Sequence, residues 1–348
     1  MAGLRMIDVH AHIFPTGLPD FYQITGDPRW PRLVSEADDG RIMCGESLFR
    51  RVRSALWDCS ARLAEMDAAH VSVQLVSPVP VTLTYWAQPD PALQYARALN
   101  DAIAAEVARS GGRLLGLGAV PLQDVDRAIA ALSRIVGELK LAGAQIGAVV
   151  GERELDDAYL RPFFAAAEEL GAVLAVHPLD GGAGVIRRAG QPYDFGLGML
   201  TDTALAAAAL VFGGVLDDHP DLRIVLAHGC GTFPWAYPRL RLGAQVLDGS
   251  DVAKFDELTR KLWVDALVFD PTHLGVLAHR FGADHIMMGT DHPFVPGQLR
   301  AVPQLVRAAA ATGIITNEDV EAILSSNASR FLCGPQVVPR QSSGVARR

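Results

Sequence analysis

Apolar residues along this chain recur in two periods that alternate almost to its end. Ile7, Val9, Ala11 and Ile13 alternate with Asp8, His10 and His12, the period of two expected of a strand. The stretch 15–48 is polar and rich in Gly, Pro and Asp. A loop of that length in a compact domain is functional or carries a small substructure of its own. From residue 54 onward, short apolar runs are separated by stretches with helical spacing. The runs 71–76, 114–120, 143–150, 172–177, 222–228, 262–267 and 286–290 are predicted strands. Helices are predicted over 54–69, 91–110, 124–139, 156–170, 199–217, 233–247, 271–281, 301–311 and 317–325. Leu56, Leu63 and Met66 mark the apolar side of the first helix, and Gly111-Gly112 and Gly171 are helix stops.

Strands that alternate with helices in this way pair in parallel. Eight of them predict a (β/α)8 TIM barrel with long loops after strands 1 and 5. An open doubly wound sheet is the alternative, but no Gly-x-Gly-x-x-Gly follows the first strand. No sharp break in composition divides the chain, so one domain is expected over 1–335, with 336–348 as a frayed C-terminal tail.

Charge narrows the partners. Thirty-one Lys+Arg against 39 Asp+Glu leave a net charge of −8, which argues against nucleic acid or an anionic membrane surface. The longest apolar stretch, 204–216, is short for a bilayer span. Four cysteines (Cys44, Cys59, Cys230, Cys333) form no Cys-x-x-Cys and no disulfide framework. With a strand beginning at residue 6 and no charged-then-apolar leader before it, the cytoplasm is the expected compartment.

The polar residues of the strands carry the candidate chemistry. The strand period puts His10 and His12 on one face, about 7 Å apart, a spacing at which two imidazoles can grip one metal ion. In a barrel of this kind the site lies at the strand C-termini. His177 ends the fifth strand, His228 the sixth and Asp291 the eighth, each the first ionisable group after an apolar run. Three imidazoles (His10, His12, His177) and the carboxylate of Asp291 suit zinc or another divalent transition metal, with a position left open for water or substrate. His228 is then an acid or base beside the ion, or alternatively a fourth imidazole ligand. Asp291 is a ligand, or alternatively a hydrogen-bonding partner of a ligand histidine. His70, His219, His273, His279 and His285 read as solvated or capping residues, His292 points away, and Cys230 reads as a small packing residue. Spacing alone makes Arg50, Arg51 and Arg239 solvated charges.

Several motifs resemble a known family. His10-Ala11-His12, His177-Pro178, His228-Gly229 and Gly289-Thr290-Asp291-His292-Pro293-Phe294 are similar to the amidohydrolase superfamily. Phe49-Arg50, Ala55-Leu56-Trp57-Asp58, Glu65-Met66-Asp67, Val120-Pro121-Leu122-Gln123-Asp124 and Gln145-Ile146-Gly147 resemble its decarboxylase branch of the carboxymuconate semialdehyde type. The likeness runs from about residue 6 to Leu332. It implies zinc held by His10, His12, His177 and Asp291, with His228 as acid/base. It also implies substrate carboxylates bound by Arg50 and by Arg239 from a second subunit, hence a homodimer. Leu179 stands where that branch has a tryptophan, and 181–198 offers Tyr193 and Phe195 in place of its tryptophans.

The expected activity is a zinc-dependent, non-oxidative decarboxylation of a small unsaturated carboxylate such as a carboxymuconate semialdehyde or a related aromatic ring-cleavage product. A metal-dependent hydrolase of a lactone or amide, or a hydratase, would use the same ligands. A non-catalytic metal-binding barrel would instead show a saturated coordination sphere.

Overall fold

The computed structural model of the protein describes residues 5–179 and 184–333. The chain opens with β1 (Met6–Ile13), buried along its whole length. A three-stranded antiparallel insert follows, made of β2 (Pro31–Glu36), β3 (Asp39–Cys44) and β4 (Ser47–Arg53). It is the small substructure that the long polar stretch allowed for. The chain then returns to the barrel with β5 (Val71–Pro78), β6 (Leu114–Ala119) and β7 (Gly143–Gly147). A short pair, β8 (Val149–Val150) and β9 (Arg153–Glu154), precedes β10 (Val173–His177), β11 (Arg223–Leu226), β12 (Trp263–Asp265) and β13 (Ile286–Met287).

The eight long-range strands run β1-β5-β6-β7-β10-β11-β12-β13, with every neighbouring pair parallel. Beyond β13 the backbone stays beside β1: Val9 N donates to Met288 O (2.9 Å), Asp291 N to His10 O (2.8 Å) and His12 N to His292 O (2.7 Å). These bonds close the circle and give the (β/α)8 TIM barrel. Strands closed this way have no free edge, so their backbone groups are satisfied without water.

Helices lie outside the strands, close to their predicted spans, and 233–247 and 271–281 match at both ends. Local chemistry sets several starts. Asp58 caps Cys59–Ala68 by accepting from Ser60 N (2.7 Å), and Asp124 caps Val125–Gly137 by accepting from Arg127 N (3.0 Å). The predicted helix 199–217 breaks at Gly213-Gly214 into Met199–Phe212 and Val215–Asp218. With the turn before it, 194–212 is long and apolar enough to cross a bilayer, longer than the 204–216 read from composition. Its inner face buries Asp202, Thr203, Ala206, Ala207 and Leu210 within the fold. The tail 336–348 and positions 180–183 of the loop after β10 lie outside the described residues.

Inside the barrel, Ile7, Val9, Val73, Leu75, Leu117, Val173, Val225 and Met287 form one cluster, joined by Ala328 and Phe331 from the last helix. Met6, Ala11 and Ile13 belong instead to the larger cluster shared with the helices. The strand therefore does not keep one apolar face. Its register against β5 shifts between Asp8 and Ala11, and such an irregularity swaps which side successive residues face. Val9 and His10 accordingly line the same small interior cavity.

The insert is seated by a third cluster, Phe14, Ile42, Val52, Leu56 and Val79, with Trp57 and Phe294 against it. Gly40 makes that seat possible, because a Cβ there would fall 2.4 Å from the Trp57 ring. This docking carries β4, and with it Arg50, to the end of the barrel where β1 finishes.

Candidate functional site

His10, His12, His177 and Asp291 meet at the C-terminal end of the strands, all buried, with one donor atom from each lying within 4.8 Å of the others. Each imidazole has its Nδ1 committed. His10 Nδ1 lies 2.7 Å from Asp265 Oδ2. His12 Nδ1 lies 3.2 Å from Ser77 Oγ and 3.3 Å from Pro78 O. His177 Nδ1 lies 2.6 Å from Pro178 O. Those acceptors assign the proton of each ring to Nδ1 and leave the Nε2 lone pair facing inward. Nε2 of His10 and Nε2 of His12 are 3.3 Å apart, and His12 Nε2 is 3.1 Å from Asp291 Oδ1. Nε2 of His177 is buried with no hydrogen-bond partner. Lone pairs aimed at one another in a dry site repel unless a cation lies between them. The donor set therefore fits a divalent transition ion.

Electrostatics agree with that picture. Burial pushes the Asp291 carboxyl toward neutrality, but the hydrogen bond and charge of His12 and the charge of His10 outweigh it and hold Asp291 well below the usual carboxylate range. Burial lowers the pKa of His12 and lowers that of His177 further, with the neighbouring imidazoles acting in the same direction on His177. On His10, burial also disfavours charge, yet the bond to Asp265 prevails and its pKa is raised.

His228 stands beside this group, its ring centroid 5.0 Å from that of His177 and 5.2 Å from that of His10. Its Nδ1 is buried and without a partner. Burial, helped by the charge of His10, pushes its pKa down to about 4, so the ring is neutral near pH 7. The backbone here is unusual: His228, Gly229, Cys230 and Gly231 all have positive φ. Asp265 holds that turn. Its two oxygens accept from the N–H groups of His228 (2.9 Å), Gly229 (2.9 Å) and Leu267 (3.0 Å) as well as facing His10. Gly289 is needed beside it, since a Cβ at that position would fall 2.6 Å from Asp265 Cβ and 2.8 Å from His10 Cβ.

Asp265 was not singled out in the sequence, although it carries the same signal as His177 and His228, an ionisable group closing an apolar strand. Arg62 was missed as well. It is buried behind β1, donating to Gln74 Oε1 (2.9 Å) and to the His12 carbonyl, and it lies 3.3 Å from His292 Nδ1. Gln74 and Thr290 in turn donate to Asp8 (2.8 and 2.6 Å). His292 faces Glu65 (3.0 Å), away from the cluster.

The two arginines differ. The Arg50 guanidinium sits 4.5 Å over the Phe294 ring, whose centroid is 5.4 Å from that of His12. It is exposed and near the cluster. Arg239 lies on the outward side of the helix 233–247 and, among the described residues, makes no ion pair or hydrogen bond. Trp235, Leu242 and Val246, at helical spacing around it, are 83%, 57% and 69% exposed. Leu179 packs toward Gly147 and the main core.

A barrel with a three-histidine, one-aspartate cluster at the strand C-termini is the architecture of a metal-dependent enzyme. Residues 7–333 match the amidohydrolase family. The chain is 35% identical to the 2-amino-3-carboxymuconate-6-semialdehyde decarboxylase of Dictyostelium discoideum, over 94% of this chain and 91% of that one. It is 30% identical to the Caenorhabditis elegans protein of the same name, over 94% of each. In fold it is similar to the 5-carboxyvanillate decarboxylase of Sphingomonas paucimobilis, with a TM-score of 0.76 at 23% identity over 95% of this chain and 99% of that one. The chain belongs to the amidohydrolase family. Within that family it falls among the decarboxylases, the carboxy-lyases that release CO2 from an organic acid.

Proposed function

We propose that this enzyme is a zinc-dependent, non-oxidative decarboxylase of a small unsaturated carboxylate, such as a carboxymuconate semialdehyde or a related aromatic ring-cleavage product, and that it works as a homodimer in the cytoplasm. The observation that carries the proposal is the convergence of three Nδ1-anchored imidazoles and Asp291 beside a neutral, unpartnered His228. His10, His12, His177 and Asp291 would hold the ion. When bound, a divalent ion there supplies Lewis acidity, which favours ionised oxygen ligands and withdraws electron density from a substrate.

In the reaction the bond between carbon and carboxylate breaks, CO2 departs, and the electron pair left on carbon takes up a proton. His228 would take a proton from water at its free ring nitrogen and pass it to that carbon, since it reaches neutral pH unprotonated. Arg50 would hold a substrate carboxylate by paired hydrogen bonds over the Phe294 ring. Arg239 would serve the partner subunit's site, because within its own chain it points outward from a helix face whose apolar side chains are unprotected from water. Exposed apolar surface of that kind is commonly covered by another subunit.

Chelation tests the proposal. Stripping the metal should abolish CO2 release from a ring-cleavage semialdehyde, and zinc should restore it. CO2 release that survives chelation, or loss of substrate with no CO2, would exclude this reading.

A further inference from the structure

A cavity of about 500 Å³ opens beside His228 and is not used by the mechanism above. It lies between the turn 228–232, the start of the helix 199–212 and the segment 267–277 that follows β12. Met199, Leu200, Leu267, Val268, Val276 and Leu277 make it apolar, while His228 and Gly229 form its inner wall. Its size falls in the range of small-molecule pockets. Among the described residues lining it there is no Lys or Arg, and Asp270 is its carboxylate. Its polar groups are His228, Thr232, Asp270 and His273, so this chain offers a substrate carboxylate no fixed cation here, in a mostly apolar wall that favours hydrocarbon over charge. Arg50 and Phe294 do not line this cavity: the Arg50 guanidinium covers the Phe294 ring, which lies beside His12.

We propose that this cavity receives an apolar arm of the substrate. The substrate class is then an aromatic or other unsaturated carboxylate that carries a hydrocarbon substituent, with its acid group toward Arg50 and its arm past His228. The proposal rests on the carboxylate-substrate reading and specifies it. Continuity with His228 selects the substrate over a protein segment as occupant, because whatever fills the cavity touches the residue placed to move the proton.

The test is equilibrium binding of benzoate, 4-ethylbenzoate and 4-butylbenzoate to the zinc-loaded full chain, followed by calorimetry and by the fluorescence of Trp235 at the rim. Each buried methylene should lower Kd by roughly fourfold, so the ethyl compound should bind on the order of tenfold and the butyl compound on the order of a hundredfold more tightly than benzoate. Val276→Trp should erase that ratio while leaving the benzoate Kd and the melting temperature unchanged, and Val276→Ala should keep it. A flat Kd across the series in the unmodified protein overturns the proposal. So does a Val276→Trp effect on subunit association with no effect on the ratio, which would give the cavity to the dimer contact. CO2 release is scored separately: chain-length-dependent binding without it removes the decarboxylase reading and leaves the cavity, whereas CO2 release with flat binding does the reverse.

Discussion

One carboxylate, Asp265, ties His10 to His228. Its Oδ2 is 2.7 Å from His10 Nδ1 and 2.9 Å from the His228 amide nitrogen. A candidate ligand and the candidate acid/base are thus oriented by the same buried group, which is itself held ionised despite burial by the bond from His10. Asp265→Asn sets an amide NH2 against N–H donors in either orientation, facing the His10 ring and the His228 N–H or facing the Gly229 and Leu267 N–H groups, and so disturbs the His10 tautomer or the turn at His228. Partners of this kind are typically worth about 10–100-fold in metal affinity or activity. Zinc titration of the variant should show a loss of that size, with the melting temperature of the metal-free protein changed far less than for a core deletion.

Arg50 is exposed on β4, so its removal should leave folding intact. Losing a charged hydrogen-bonding partner costs about 1.5–3 kcal/mol, which is roughly 10–150-fold in kcat/KM. Arg50→Ala should raise KM by that order, and Arg50→Lys should recover only part of it, because a single ammonium cannot make the paired contact. Steady-state kinetics decide it. A variant with unchanged KM would remove Arg50 from substrate binding.

Stability should fall with acid in the metal-free protein. Burial pushes the pKa values of His228 and His292 down to about 4 from 6.5, and burial lowers His12 and His177 as well. The unfolded chain takes up these protons near pH 6.5 and the folded chain does not, so the stability present above 6.5 is lost as pH drops toward 4. Asp8 and His10 act in the opposite sense: burial raises the Asp8 pKa to about 6, and the bond to Asp265 raises that of His10, so both favour the folded state as pH falls. Four lowered imidazoles outweigh these two groups. Urea unfolding with chelator present should therefore give a lower midpoint at pH 5 than at pH 6.5.

Complementation reports whether Arg239 acts across the dimer. Arg50→Ala and Arg239→Ala homodimers should both be impaired. If each site takes Arg50 from one chain and Arg239 from the other, a mixed dimer holds one intact site, so mixing should restore about a quarter of the sites in a two-fold symmetric assembly. Leu242→Asp, on the same exposed face, should shift the protein toward monomer in sedimentation and lower activity with it. No recovery on mixing would confine Arg239 to its own chain.

The strand pattern and the residues ending each strand were legible from periodicity, because strands buried on both sides must be apolar and a polar group among them stands out. His177, His228 and Asp291 were found on that basis. Asp265 carries the same mark at the end of Trp263-Val264-Asp265, but the apolar run continues past it through Ala266 and Leu267, which hides it inside the predicted strand 262–267. The insert 31–53 left only a weak trace: β4 is mostly exposed and the alternation in Leu33, Ile42 and Val52 is sparse. Arg62 gave no local sign of burial, since its partners His12 and His292 come from distant parts of the chain.

By itself, then, the sequence determined the order of strands and helices and the chemical types at the strand ends, because those follow from local burial and backbone preference. The tertiary structure alone decided the register shift between Asp8 and Ala11, the Nδ1 partners that turn three Nε2 lone pairs inward, and the outward aim of Arg239. Lone-pair direction depends on acceptors brought in by other strands, Asp265 to His10 across 255 positions of sequence and Pro78 to His12 across 66. No local pattern encodes such pairings; closing the barrel creates them.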